Sequence, residues 1–292
     1  MRNKAHQPLL NPPQRGGLAE LSSSPMGRVG VGLLLLFLLS CTRVPITGRR
    51  QVNLMAESDL MKMSLTEYNK FLGTYPPISD SDPNAQLVKK VGKNIQAAVE
   101  RFMNANKKYK KRIAGYNWQF NLIKEDKTVN AWCMPGGKVV VYTGLLPITQ
   151  NETALAVVMG HEIAHAIARH GNERMSQGMI IQLGGVALSV ALSTQSQATQ
   201  DLFGQSYGVT SSLGILAYSR KHESEADKLG LVFMAMAGYD PHEAVAFWER
   251  MAKESKGGGM AILSTHPSDE KRIQDIKIFL PKAMKYYHPV TQ

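Results

Sequence analysis

The stretch VVMGHEIAHAIARHGNERM, residues 157–175, sets His161 and His165 four positions apart with Glu162 beside the first. On a helix, residues four apart differ by about 40 degrees in direction, so both imidazoles face one way and can grip one ion. Zinc suits neutral nitrogen donors of this kind and lowers the pKa of a bound water to roughly 7. Glu162 projects to the side where that water sits, and a carboxylate there can take its proton during attack on a carbonyl. The chemistry implied is metal-assisted hydrolysis with one Zn2+ per chain, and it requires a third ligand.

Glu223, in HESEAD, is the best candidate, because Asp227 follows four residues later on the same helical face. The first can ligate while the second holds a ligand histidine by its other ring nitrogen. Glu225 points nearly opposite and is the weaker choice, and Cys133 is an alternative that no acidic partner pattern supports. His170, His222, His242 and His288 read as solvent-facing or capping residues.

HEIAH on one helix and ESEAD on a later one resemble the gluzincin family of CAAX prenyl endopeptidases, HtpX-like proteases and mitochondrial OMA-type proteases, over roughly residues 85–285. Within it the chain looks most like the periplasmic lipoprotein members. The resemblance implies an α+β, mainly helical fold: a zincin-like metalloprotease core with a small β-sheet whose edge strand flanks the active-site helix. It also implies His161, His165 and Glu223 as zinc ligands, Glu162 as general base and Asp227 behind a ligand. The segment NAWCMPGGKVVVYTGLL resembles the family's stretch before the active helix, whose exposed strand would pair with an extended substrate. STHPSDEKRI resembles the late loop whose histidine, here His266, lies over the site, either stabilising an oxyanion or plugging the open metal position. The activity implied is endopeptidase cleavage of unfolded or misassembled envelope proteins. A chaperone or assembly factor with a latent or structural zinc site is the rival reading.

The elements that position these residues follow from periodicity. Residues 57–75 and 84–103 repeat apolar side chains at helical spacing, the second with Leu87, Val91, Ile95, Ala98, Val99 and Phe102 on one face. YNWQFNLI and GKVVVYTG read as strands of a small sheet within residues 117–143. Thr149 and Glu152 have capping-box spacing, so a helix starts near Asn151 and runs to about His170, with Gly171 taking a left-handed end. The apolar residues 179–193 read as a helix packed on the core or grazing a membrane, and 194–212 as a mobile loop. A long helix then carries HESEAD and stops at Gly238.

Two cysteines, Cys41 and Cys133, leave no disulfide framework. The run at residues 29–39 follows Arg28, is too short to span a bilayer permanently and ends at LLSC, as a signal-peptide core does; an uncleaved anchor is the alternative. Ser40 before Cys41 resembles a bacterial lipobox. Residues 1–41 thus read as a signal peptide, with translation starting at Met1 or Met26. Residues 42–84 read as a tether and helix, and 85–292 as the metalloprotease domain. The implied location is the periplasmic side of a bacterial envelope, outer membrane before inner, with membrane attachment through an N-terminal lipid. Formal charge is +11, and residues 1–40 hold four Lys and Arg against one Glu, so the remainder carries +8. The basic run 101–112 suits anionic headgroups or a solvated helix end; nucleic acid is no expected partner of an exported chain.

Overall fold

Three short strands send apolar side chains alternately to two faces, and that alternation sets the layers. The computed structural model describes residues 41–183, 196–207, 218–255, 261–266 and 270–289. The apolar run at residues 29–39, expected as a signal-peptide core, and the apolar stretch beyond residue 183 lie outside them. The sheet holds β3 (Gln119–Ile123), β4 (Ala131–Met134) and β5 (Lys138–Tyr142) in the order β3-β5-β4, with β3 parallel and β4 antiparallel to β5. Phe120, Leu122, Ala131, Cys133, Val139 and Val141 enter one core, whereas Ile123, Trp132, Met134 and Val140 enter another.

The second core is closed by α1 (Glu57–Thr74), whose Leu60 and Tyr68 are buried there and whose Phe71 meets Trp132 edge-on. The first is closed by α2 (Pro83–Ala105), started by Asp82, which accepts from the amides of Asn84 and Ala85, and by Pro83 in the first turn. Its buried stripe runs through Val88, Val91, Ile95, Ala98, Val99 and Met103, with Leu87 and Phe102 only partly covered. Of the basic run that follows, Lys107, Lys108, Lys110 and Lys111 are exposed, but Arg112 is buried and donates to the carbonyls of Ile167 and Arg43. Upstream, the segment expected as a tether folds into a hairpin, β1 (Cys41–Arg43) against β2 (Arg50–Val52).

The metal-motif helix is α3 (Glu152–Ala168), buried on all sides from Ala154 onward. Such a helix must sit inside the protein, and its apolar residues all round say as much. Asn151 caps it, accepting from Ala154 N at 2.7 Å, whereas the Thr149 hydroxyl donates to Leu146 O. The left-handed end falls on Arg169 (φ 63°), which pairs with Glu57, and Gly171 lies inside α4 (His170–Leu183). Gly171 serves close packing instead: a Cβ there would lie 2.2 Å from the Tyr207 ring.

Tyr207 ends α5 (Gln197–Tyr207), a helix where a loop was expected; Thr199, Leu202, Phe203, Ser206 and Tyr207 are buried despite the polar composition. Then come α6 (Arg220–Met236), α7 (Glu243–Ser255), α8 (Ala261–Thr265) and α9 (Glu270–Ala283). Gly238 (φ 87°) follows α6 as the sequence predicts. No helix among the described residues is long and apolar enough to cross a membrane.

α3 and α6 touch backbone to backbone at Gly160 and Gly230. A Cβ on Gly230 would lie 2.9 Å from His161 N and 3.0 Å from Gly160 C. Neither obstacle is a flexible side chain, so the helices themselves must separate. Gly230→Ala is therefore expected to lower stability by about 1–3 kcal/mol, against a helix-propensity gain of about 1 kcal/mol. Urea unfolding of the metal-free protein measures it, and an unchanged midpoint would show that the close approach is dispensable.

Candidate metal centre

The glycine contact brings the polar residues of α3 and α6 to one point. His161 Nε2 lies 3.0 Å from His165 Nε2 and 3.3 Å from Glu223 Oε2; His165 Nε2 lies 3.4 Å from Glu223 Oε1. His266, just after α8, adds its Nδ1 at 3.3 Å from His161 Nε2 and 3.1 Å from Glu223 Oε1. All four residues are buried, and one donor atom from each lies within 4.8 Å of every other. A tetrahedral zinc site with ligands at about 2.0–2.1 Å has donors about 3.3–3.4 Å apart, so these spacings fit such an ion. Three imidazoles and a carboxylate are also a donor set that zinc accepts.

Glu162 is buried beside this cluster, and its Oε1 accepts no hydrogen bond among the described residues, lying 3.6 Å from His266 Nε2. Burial pushes its carboxyl above the usual carboxylate range, with the Glu223 charge adding and His266 and His161 opposing. Glu223 goes the other way: burial raises it, but His266, His161 and His165 more than offset that and hold it well below. Two neighbouring carboxylates thus have divergent proton affinities, a common property of hydrolytic sites.

His161 Nδ1 donates to Asp227 Oδ1 at 2.9 Å, which leaves its Nε2 lone pair facing the cluster. Asp227 is held in turn by Arg272 of α9, with Nε to Oδ2 at 2.8 Å and Nη2 to Oδ1 at 2.7 Å. The same guanidinium reaches Glu223 at 3.1 Å and lies 3.4 Å over the Trp248 ring. Sequence reasoning missed Arg272, since nothing in the spacing of the 34 Lys and Arg residues marks it. Tyr218, also missed, lies across His165 with ring centroids 3.9 Å apart.

Other candidates fall elsewhere. Cys133 is buried on β4 outside the donor set, and burial, with the Glu162 charge adding, pushes its thiol well up. Cys41 opens β1, and the apolar run on which its acylation was argued is outside the described residues. His242 is exposed and donates to Asp240 near the start of α7. His170 and His222, expected at the surface, are buried: His170 Nδ1 lies 3.0 Å from His165 Nδ1, and His222 Nε2 donates to Glu173 Oε2 at 3.1 Å. Glu225 accepts from His170 Nε2 at 3.0 Å and from Arg49 Nε at 2.6 Å, and ligates nothing.

Burial raises Glu173 and Glu225, yet hydrogen bonds from His222 and Arg49 to the first, and from His170, Thr47 and Arg49 to the second, bring both down to about 2. A carboxyl lowered in the folded state stabilises it fully above its unfolded value, near 4.5, and loses that contribution as pH falls through the folded value. Each shift corresponds to about 3 kcal/mol undiscounted. After allowance for solvent screening of both groups, the stability of the metal-free protein is expected to drop by about 3 kcal/mol for the pair together between about pH 4.5 and 2. Melting curves should show Glu173→Gln to be less acid-sensitive than the unsubstituted protein across that window; equal slopes would place the acid sensitivity elsewhere.

The family profile described as Peptidase family M48 matches residues 89–279, which spans the donor set, Asp227 and Arg272. The chain belongs to peptidase family M48. Its α+β, mainly helical build agrees with the zincin-like fold expected, and zinc is the metal such peptidases use. Among its relatives is the mitochondrial metalloendopeptidase OMA1 of Schizosaccharomyces pombe, 35% identical over 82% of this chain and 66% of that one. The human metalloendopeptidase OMA1, mitochondrial, is 28% identical over 82% of the chain and 46% of its own length. The β-barrel assembly-enhancing protease of Escherichia coli is 30% identical over 55% of the chain and 34% of its own. The chain thus spans a third to two thirds of the length of these relatives.

These relatives correct the location. A bacterial periplasmic, outer-membrane placement was expected, but the relatives matched over 82% of the chain are mitochondrial enzymes. The physical cause of the error is that the basic, acid-poor first forty residues, with their apolar run, are a pattern that does not single out one location.

Proposed function

We propose that this M48 peptidase is a zinc-dependent endopeptidase that cuts unfolded or misassembled polypeptides in a mitochondrial setting. One observation carries the reading: a buried donor set of three histidines and a glutamate beside a buried carboxylate whose Oε1 accepts no hydrogen bond among the described residues. When bound, zinc supplies a Lewis acid that polarises the scissile carbonyl and acidifies water. His161, His165 and Glu223 would hold it. Asp227, clamped by Arg272, orients His161 by accepting a hydrogen bond from its Nδ1–H. Glu162 is the general base. An extended substrate approaches along β4, which no described strand pairs on its outer side although its four side chains are buried. These residues, backbone included, are at most 7% exposed, so the strand expected to be exposed is covered in this structure and takes a substrate only when that cover moves. The names of the metalloendopeptidase and assembly-protease relatives support cleavage of peptide bonds within proteins.

The test is metal analysis of the purified protein together with casein cleavage by the Glu162→Gln variant. Cleavage equal to that of the unsubstituted protein would end this reading. Fractionation of the native protein away from mitochondria would end the proposed setting.

His266 supports a second, compatible reading, in which the site is latent and the protein also holds clients. Its Nδ1 occupies the fourth donor position and its Nε2 faces Glu162 Oε1. α8, which leads into it, is tied by Ile262 N to Val129 O (3.0 Å), just before β4. Full rescue of a deletion phenotype by Glu162→Gln would make holding, rather than cutting, the essential activity.

A further inference from the structure

Behind His165, on the side away from the donor set, lies a buried polar chain that the proposed chemistry does not use. His165 Nδ1 faces His170 Nδ1 at 3.0 Å; His170 Nε2 meets Glu225 Oε2 at 3.0 Å; Arg49 Nε meets the same oxygen at 2.6 Å. The other two nitrogens of Arg49 fork onto Glu173 at 2.7 and 2.6 Å, and the Thr47 hydroxyl donates to Glu225 Oε1. Arg49 and Thr47 belong to the β1–β2 hairpin. Gln51 of that hairpin is fixed to the end of α3 by a 2.7 Å bond to Ala168 O.

We propose that Arg49 is a positioning residue for the metal centre, acting through Glu225 and His170 to fix the ring and tautomer of His165. The inference rests on the zinc reading above.

The two ligand histidines differ in what stands behind them. His161 faces a carboxylate, which can only accept, so its Nδ1 must carry the proton. His165 faces another imidazole, which accepts at one nitrogen only when its proton sits on the other. Glu225 supplies that condition: it accepts at His170 Nε2, so His170 Nδ1 presents a lone pair and His165 Nδ1–H donates to it. The Nε2 lone pair of His165 is then left for the ion. Arg49 holds Glu225 in place with one edge of its guanidinium and Glu173 with another, a fork that the single ammonium of lysine cannot reproduce. The stacking of His170 on His222, with centroids 4.6 Å apart, keeps the relay ring in plane.

Zinc affinity measured by chelator competition tests this, with metal-free unfolding and cleavage followed alongside. Arg49→Met is expected to raise the zinc Kd about 10- to 100-fold, as loss of a partner behind a ligand histidine does, while kcat at saturating zinc stays within a few-fold. Arg49→Lys should recover part of the loss. Arg50→Met, on the exposed side of the same hairpin, should bind zinc like the unsubstituted protein. If Arg49→Met does not fold, Glu225→Gln reports instead, because its amide can donate to His170 Nε2 and so allow the wrong tautomer. A zinc Kd within twofold of the unsubstituted protein, in whichever variant folds, overturns the proposal even if metal-free stability falls. Unsubstituted protein that takes up no zinc overturns the zinc reading as well; tight zinc binding in both overturns this proposal alone.

Discussion

In the Glu162→Gln variant, zinc content will match that of the unsubstituted protein while kcat on casein falls by about 10²–10⁴-fold, the usual contribution of a positioned general base. The reasoning starts from geometry. Glu162 sits beside the donor set without belonging to it, so the isosteric amide removes no ligand. Its Oε1 is buried and accepts no hydrogen bond among the described residues, so it becomes available to water once the His266 ring, 3.6 Å away, withdraws. Burial raises its carboxyl, which makes it a better proton acceptor near neutral pH. The change acts on proton transfer in the transition state, so KM should move little and kcat should carry the loss. Glu223→Gln is the contrast: that carboxylate lies among the donors, and its loss should deplete zinc. Were Glu162→Gln also to lose zinc, the residue would be holding the site together and the base would lie elsewhere.

The parts of this site carried by one helical turn were legible in the sequence. His161 and His165 face one way because they are four apart, and Glu223 and Asp227 stand in the same relation on α6. What joins the two helices was not legible, since Gly160 and Gly230 look like ordinary helix glycines until both backbones are in place. His170 and His222 were read as solvent-facing or capping residues for a related reason: their acceptors Glu225 and Glu173 are secured by Arg49, 176 and 124 positions away. Arg272 likewise gains its meaning from Asp227 and Trp248, which only the packing of α9 supplies. α5 defeated pattern reading differently. Its glutamines, serine and threonine look like a loop, but Leu202, Phe203 and Tyr207 recur on one face and find the core closed by α1. Tertiary burial outweighed composition there, whereas along α2 the two agreed.

Replacing His266 by alanine will raise casein cleavage, by about 5- to 150-fold if release from the site is worth the 1–3 kcal/mol typical of coupled equilibria. The sequence leaves two roles for this residue, and the signs of their effects are opposite. An oxyanion stabiliser must reach the reacting carbonyl while leaving the metal's open position free, and its loss would lower kcat by about 10²–10³-fold. In the conformation described, His266 Nδ1 instead lies 3.3 Å from His161 Nε2 and 3.1 Å from Glu223 Oε1, at the fourth corner of the donor set. Its Nε2 lies 3.6 Å from Glu162 Oε1, so one ring obstructs both the open position and the base. Ahead of the ring the chain is anchored by α8 and its bond to Val129 at the entrance to β4, and that anchor adjoins the edge where a substrate strand would pair. If a substrate strand pairs there, it would compete with the seating of His266 for the same short stretch of chain, and the proposed latency would then be relieved by substrate. The alanine variant should also surrender zinc to a chelator faster than the unsubstituted protein, because one donor is gone. A fall in kcat with unchanged zinc release would assign His266 to the transition state and leave latency without a residue to produce it.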